Sequence, residues 1–406
     1  MNVALHPLVK QSTFRTAYSK SWSTTQAVAR CVHTIGPTQP NLLIIFCGGK
    51  HEPDVVLHDF RKAYPTVPIV GGSAAGVISR DGAGYSGLEI GALAVFGSGA
   101  APAVVTVDGL GFGEHAAGVT LGRKIAAVAD DDAPVLLFYD SVAACDPPQL
   151  HPAATLVAGV EEGLAGRRVR LVGGGLLTDV SLTDGWVFDG REARKHAAVA
   201  LVFPSTLTFE TSVVHGCRPV STFMTITRAE GAEILELDGK PALEVIEALS
   251  GLSAERNLAL NATLGVKLGD PYEPFLERSY VNRLILNADR ARGSVTLFEP
   301  DLSAGTRVQV MMRDSDLILA SARRGVAEMN EVIAAEHDRV AFSFYIDCAG
   351  RASAVSGTPQ EEADVIRQGL IRVPFLGFYS GVEIAPFGGR ARSLDWSGVL
   401  VTARYR

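Results

Sequence analysis

Residues able to do chemistry are scattered along this chain, and the densest short stretch is Val213-Val214-His215-Gly216-Cys217-Arg218-Pro219, just past an apolar run. An imidazole placed there is a candidate axial ligand for haem iron. Cys217 offers a thiolate in its stead, and Arg218 can pair with a propionate. A turn histidine bonded to its own neighbours is the plainer reading of the same residues. No C-x-x-C-H occurs, so covalent haem attachment is excluded. Farther on, Cys348-Ala349-Gly350-Arg351 ends another apolar run in a guanidinium. Arg351 suits a ligand carboxylate, which it can hold with two parallel hydrogen bonds. Cys348 is a candidate nucleophile that lacks an identified base; a small buried thiol is the common alternative. Glu383 either meets a ligand amine or faces solvent. Phe375, Phe378 and Tyr379 read as core aromatics.

His51, Asp54 and His58 share one helix face if their helix starts early, and would then offer zinc or iron three donors. A solvated acidic face is the competing reading, because Pro53 marks a later start. His151, after Pro147-Pro148, suits the edge of a pocket. The turn Gly71-Gly72-Ser73-Ala74-Ala75-Gly76 could bring bare backbone against a ligand through Gly72 and Ser73, as could Gly174 in Gly173-Gly174-Gly175. Neither is G-x-G-x-x-G, no Walker lysine follows, and Ala75 stands where a nucleophile elbow needs glycine. Close packing between units is the stronger reading of both.

The elements that position these residues repeat. Ser23 caps a helix to about Ile35, Leu42–Phe46 is a buried strand, a helix runs from Pro53 to about Tyr64, and Pro68–Val70 enters the glycine turn. The order recurs from about Gly113: a helix to Asp130, strand Val135–Tyr139, a helix over 149–164, then Arg170-Leu171-Val172 into the second glycine turn. A third copy has a helix over 317–335, strand Val340–Ile346, a helix over 361–369 and strand Val373–Tyr379. Three copies in one order predict an α/β protein of tandem helix-strand-helix-strand-strand units. Between the second and third copies, residues 206–312 are strand-rich and read as a degenerate fourth unit.

The 406 residues carry a net charge of −7, 47% apolar content and 20% charge, which describe a globular chain with no electrostatic case for nucleic acid. The first residues lack a secretory signal, no apolar run is long enough to span a membrane, and five widely spaced cysteines suit a reducing compartment. A cytoplasmic protein without disulfides is expected.

Several of these stretches together resemble the FIST family, sensory proteins of bacteria with an N-terminal and a C-terminal FIST domain. They are Leu42–Phe46, Ile69–Gly76, Leu171–Gly175, Glu236-Leu237-Asp238-Gly239-Lys240-Pro241-Ala242, Cys348–Arg351 and Gly377-Phe378-Tyr379-Ser380-Gly381-Val382-Glu383. The resemblance covers nearly the whole chain and implies two packed domains, divided here at 205/206. It also implies a stand-alone sensor of a small ligand. One similar branch, the NosP-like proteins, binds haem, senses nitric oxide and acts on a partner histidine kinase; an amino-acid-like carboxylate is the alternative ligand. His215, Cys217 and Arg218 are the residues expected to hold a cofactor. Gly72, Ser73, Gly174, Arg351 and Glu383 are those expected to meet a ligand. No complete catalytic set is visible, so an enzyme built on Cys348 is the reading from another class.

Overall fold

The structure is a computed structural model that describes residues 13–406, apart from 147, 255–257 and 259–260. The reading of the first residues as lacking a signal falls partly on 1–12, outside the described residues. The continuous apolar runs form central strands Leu42–Cys47, Ala133–Asp140 and Val340–Cys348. Beside each, in parallel, lies its glycine-bearing strand: Ile69–Ser73, Val169–Leu176 and Phe375–Ser380. Crossover helices Pro53–Ala63, Ala153–Leu164 and Glu362–Gly369 make the parallel connections. Antiparallel strands Glu89–Phe96, Ala197–Val202 and Gly398–Tyr405 flank the other side. Beyond them lie the edge strands Thr13–Lys20, Ala103–Asp108 and Leu207–Val214. The registers coincide, with Ile45 opposite Gly71, Leu137 opposite Gly173 and Tyr345 opposite Gly377. The threefold repeat read from the sequence is present as three six-stranded sheets.

Each sheet is completed by a neighbour. The hairpin Gly76–Ser79/Gly82–Gly84 leaves the first unit and pairs with Phe375–Ser380 of the third. Val187–Gly190/Ala193–Arg194 passes from the second unit to Ile69–Ser73 of the first. Glu383–Phe387/Arg390–Leu394 passes from the third unit to Val169–Leu176 of the second. The exchange is cyclic, and it ties the two expected domains together across 205/206. The glycine repeat serves the close strand packing behind it. A Cβ on Gly71, Gly173 or Gly377 would stand 2.2, 1.8 or 2.4 Å from the carbonyl oxygen of Ile45, Leu137 or Tyr345. No side chain fits there without moving backbone.

The inner faces of the sheets share one core, where Phe46 lies 5.2 Å from Phe138, 5.7 Å from Phe344 and 4.3 Å, stacked, from Phe378. Helices cover the outer faces over separate apolar clusters, one for each unit. Among the described residues no helix is long and apolar enough to cross a membrane.

Two expectations need correction. Residues 206–312 are not a fourth unit: Leu207–Val214 is the edge strand of the third sheet. The strands from Cys217–Pro219 to Arg307–Arg313, with helix Ala242–Ser250, form a small barrel closed where Ala262–Lys267 pairs with both Tyr280–Asp289 and Arg307–Arg313. The barrel is inserted between that edge strand and helix Ser315–Ala335, a junction that is a short turn in the other two units. The first unit also begins earlier than expected, at the strand Thr13–Lys20.

Candidate functional site

Clefts open where an exchanged hairpin meets the crossover helix of its host unit. The one beside the first unit's hairpin has a volume of about 440 Å³. Its hairpin wall carries Tyr85 and Ser86, the third unit supplies Glu361, Asp364 and Tyr379, and Lys20 stands on the adjoining edge strand. Tyr85 and Tyr379 meet edge to face at 5.6 Å. The Tyr379 hydroxyl donates to Glu361 Oε1 at 2.7 Å, and the Ser353 N–H donates to Glu361 Oε2 at 3.0 Å. Burial, together with Asp347 and Glu361, pushes the Tyr379 phenol well above its ordinary pKa, so it stays a donor. Asp364 is paired with Arg367 at 2.6 Å, whereas no cation pairs with Glu361 among the described residues. Lys20 Nζ lies 3.1 Å from the buried Glu89. Gly76, which ends the first glycine turn, packs directly on this site: a Cβ there would stand 2.4 Å from Gly84 O and 2.7 Å from Tyr379 Cδ2.

The residues singled out in the sequence lie mostly elsewhere. His215 is buried, its Nε2 paired with Glu277 O at 2.9 Å and its Nδ1 accepting from the Cys217 N–H at 3.0 Å. Neither ring nitrogen is left for iron. Burial pushes the Cys217 thiol up to about 12, and Arg218 is exposed beside Asp314. As arranged, these three residues do not fit a haem, and the expected role of His215 as axial or metal ligand is replaced by one in a hydrogen-bonded turn. The turn is held by Glu277, whose carboxylate accepts from the N–H groups of His215 and Gly216, from Ser321 and from Arg324. Burial alone would raise this carboxyl, but His215, those N–H groups and Ser321 bring it down to about 2.

Arg351 is also committed. Its fork grips Glu362, with Nε to Oε2 at 2.9 Å and Nη2 to Oε1 at 2.6 Å, and Nη1 donates to the carbonyls of His215 and Trp396. The bidentate geometry expected for a ligand carboxylate is thus satisfied within the chain. Glu383 neither faces solvent nor reaches a cleft: it accepts from Ser380 Oγ at 2.6 Å and Ser397 N at 3.1 Å. Burial pushes its carboxyl well above the usual range. Gly72, Ser73 and Gly174 lie inside the sheets. A Cβ on Gly72 would stand 2.2 Å from Trp186 O, and one on Gly174 would stand 3.0 Å from Val382 O. The Ser73 hydroxyl exchanges hydrogen bonds with the Trp186 backbone.

Cys348 is buried with its thiol driven well above the ordinary range by burial and Glu383. His51, Asp54 and His58 do not converge: the helix starts at Pro53, His51 is buried against Thr24, and the other two are exposed. Among the described residues no group of histidines, cysteines and carboxylates is arranged to hold a metal ion. His151 bridges Glu114 at 2.8 Å and His196 at 3.0 Å. Tyr85, Glu361 and Lys20 were not singled out in the sequence. Only the aromatic strand Phe378-Tyr379, read as core, pointed toward the cleft they share with Tyr379.

Three cyclically exchanged sheets with an inserted barrel define a mixed α/β protein of tandem units. The FIST N domain matches residues 41–240 and the FIST C domain matches residues 242–386. The chain belongs to the FIST family, whose domains are sensory. Among curated relatives, uncharacterized protein Mb0898c of Mycobacterium bovis is 30% identical over 184 residues, 44% of this chain and 46% of that protein. Uncharacterized protein MT0656 of Mycobacterium tuberculosis is 27% identical over 249 residues, 60% and 62% of the two chains. The chain thus spans about half to three-fifths of the relatives it matches. Among solved structures, a cyanuric acid hydrolase from A. caulinodans aligns over 98% of this chain and 99% of its own, at 10% identity and a TM-score of 0.37. A chorismatase aligns over 97% and 98% at 11% identity and a TM-score of 0.36. At these scores neither likeness bears on activity.

Proposed function

We propose that this protein is a small-molecule sensor whose ligand, an amino-acid-like zwitterion, binds in the cleft between Tyr85, Tyr379, Glu361 and Lys20. The observation that carries this reading is Glu361, a carboxylate without a cationic partner among the described residues, set beside an aromatic pair in a cleft that a lysine, paired with Glu89, also lines. A ligand ammonium matches Glu361 and the face of Tyr85, and a ligand carboxylate matches Lys20. A volume of about 440 Å³ suits a ligand of that size. The cleft also lies where two stretches that carry the family resemblance meet, the turn ending at Gly76 and the strand Phe375–Ser380.

Such a ligand would touch the first unit through Tyr85, Ser86 and Lys20, and the third through Glu361 and Tyr379. In this reading the ligand binds one arrangement of the exchanged hairpin more tightly, so it favours that arrangement, and a partner protein reads it. A histidine kinase is the partner class we propose. Thermal unfolding in the presence of single L-amino acids tests the site. At least one should raise the melting temperature by mass action in the wild type and leave Glu361→Gln and Tyr85→Ala unmoved. A panel that shifts neither the wild type nor the variants would refute the reading.

A further inference from the structure

The hairpin Glu383–Phe387/Arg390–Leu394 borders a second cleft of different chemistry, about 460 Å³, where helix Ala153–Leu164 of the second unit meets the barrel. Its walls divide by polarity. Val157, Val281, Leu268 and Leu302 form an apolar floor, while Arg390 and Arg392 stand on the hairpin side. The third arginine there, Arg283, is spoken for: it is buried, holds Asp301 through two bonds of 2.6 and 2.5 Å, and donates to Ser393 O at 3.2 Å. The helix N-terminus is occupied as well, because the N–H groups of Ala153 and Ala154 donate to Glu299 at 3.0 and 2.8 Å. Glu161, at the rim, accepts the Ala391 N–H at 3.2 Å.

Arg390 and Arg392 remain. Neither forms an ion pair among the described residues, and the Arg392 guanidinium donates from Nε to Phe387 O at 3.0 Å. Partial burial, Arg390 and Arg283 press the Arg392 pKa down, and Asp301, which is held by Arg283, offsets them only in part. Guanidinium cations and apolar side chains lining one cleft match a carboxylate head on a hydrophobic body. We infer that this cleft is a binding site for an organic carboxylate with an apolar body, its head on Arg392 and Arg390 and its body against Val157 and Leu302. The site is separate from the proposed amino-acid cleft. It joins the second unit, the barrel and the third unit's hairpin.

Calorimetric titration of the full chain with phenylacetate, phenylacetamide and inorganic phosphate tests this. Phenylacetate should bind saturably, and the neutral amide and phosphate should each bind roughly tenfold more weakly or worse, since one lacks the charge and the other the apolar body. Arg392→Gln should weaken phenylacetate by a similar factor. So should Ala158→Glu, which sets a like charge at the exposed rim and leaves the core alone. Glu361→Gln should leave phenylacetate binding unchanged, so failure here is distinguishable from failure of the amino-acid site. Equal affinity for the amide would overturn the anion site, equal affinity for phosphate would overturn the apolar floor, and unaltered binding in both rim variants would overturn the location.

Discussion

Cys31, Cys47, Cys217 and Cys348 are buried, and only Cys145, on an exposed hairpin, is open to solvent among the cysteines. Burial raises each buried thiol, Cys31 and Cys217 to about 12, so the thiolate that a reagent attacks is scarce. A thiol reagent at pH 8 should therefore label one cysteine per folded chain, Cys145, and the rest only after unfolding. Rapid labelling of Cys348 would revive the enzyme reading. Arg351 teaches a related lesson. The sequence announced a guanidinium able to fork a carboxylate, and it does so, but the carboxylate is Glu362 of the same chain. Removing one partner leaves a buried charge uncompensated. Arg351→Ala should thus lose about 3–5 kcal/mol in urea unfolding, and the double variant with Glu362→Leu should recover part of it. A loss under 1 kcal/mol would mean that the pair is not buried as described.

At the scale of elements, the close approaches decide which glycines matter. Gly173→Ala drives a Cβ into Leu137 O and should cost ~3 kcal/mol or more, or block folding. Gly231→Ala, at φ 60 with nothing within 4 Å, should cost only about 1–2 kcal/mol. Equal costs by denaturant unfolding would contradict the packing role of the repeat. The repeat itself was legible because strands covered on both faces are continuous apolar runs, and because the turns reuse glycine. What escaped has physical reasons. Thr13–Lys20 is an edge strand whose buried and exposed residues mix, so it reads as polar sequence. The barrel's short strands resemble those of the units, and nothing local says that Leu207–Val214 pairs with Gly398–Tyr405, where Leu207 meets Tyr405 198 residues away (405 − 207). Hairpin exchange is invisible for the same reason, and with it the clefts: Tyr85 and Glu361 are 276 positions apart (361 − 85) and mean nothing singly.

At the scale of the whole molecule, three sheets share one aromatic core, and each exchanged hairpin ties one unit to the next. The proposed ligand contacts bridge a hairpin and its host, which is where a bound molecule would bias how the units sit together. The frame gives haem no open ligand at His215. Titration with hemin should yield no stoichiometric Soret band, and a band lost in His215→Ala would contradict the satisfied imidazole seen here. The most direct measurement of the central claim is calorimetric titration of wild type and Glu361→Gln with a panel of L-amino acids. Saturable binding of at least one, weakened roughly tenfold or more by loss of the carboxylate charge, is the predicted result. Binding that persists undiminished in the variant, or none across the panel, would contradict it.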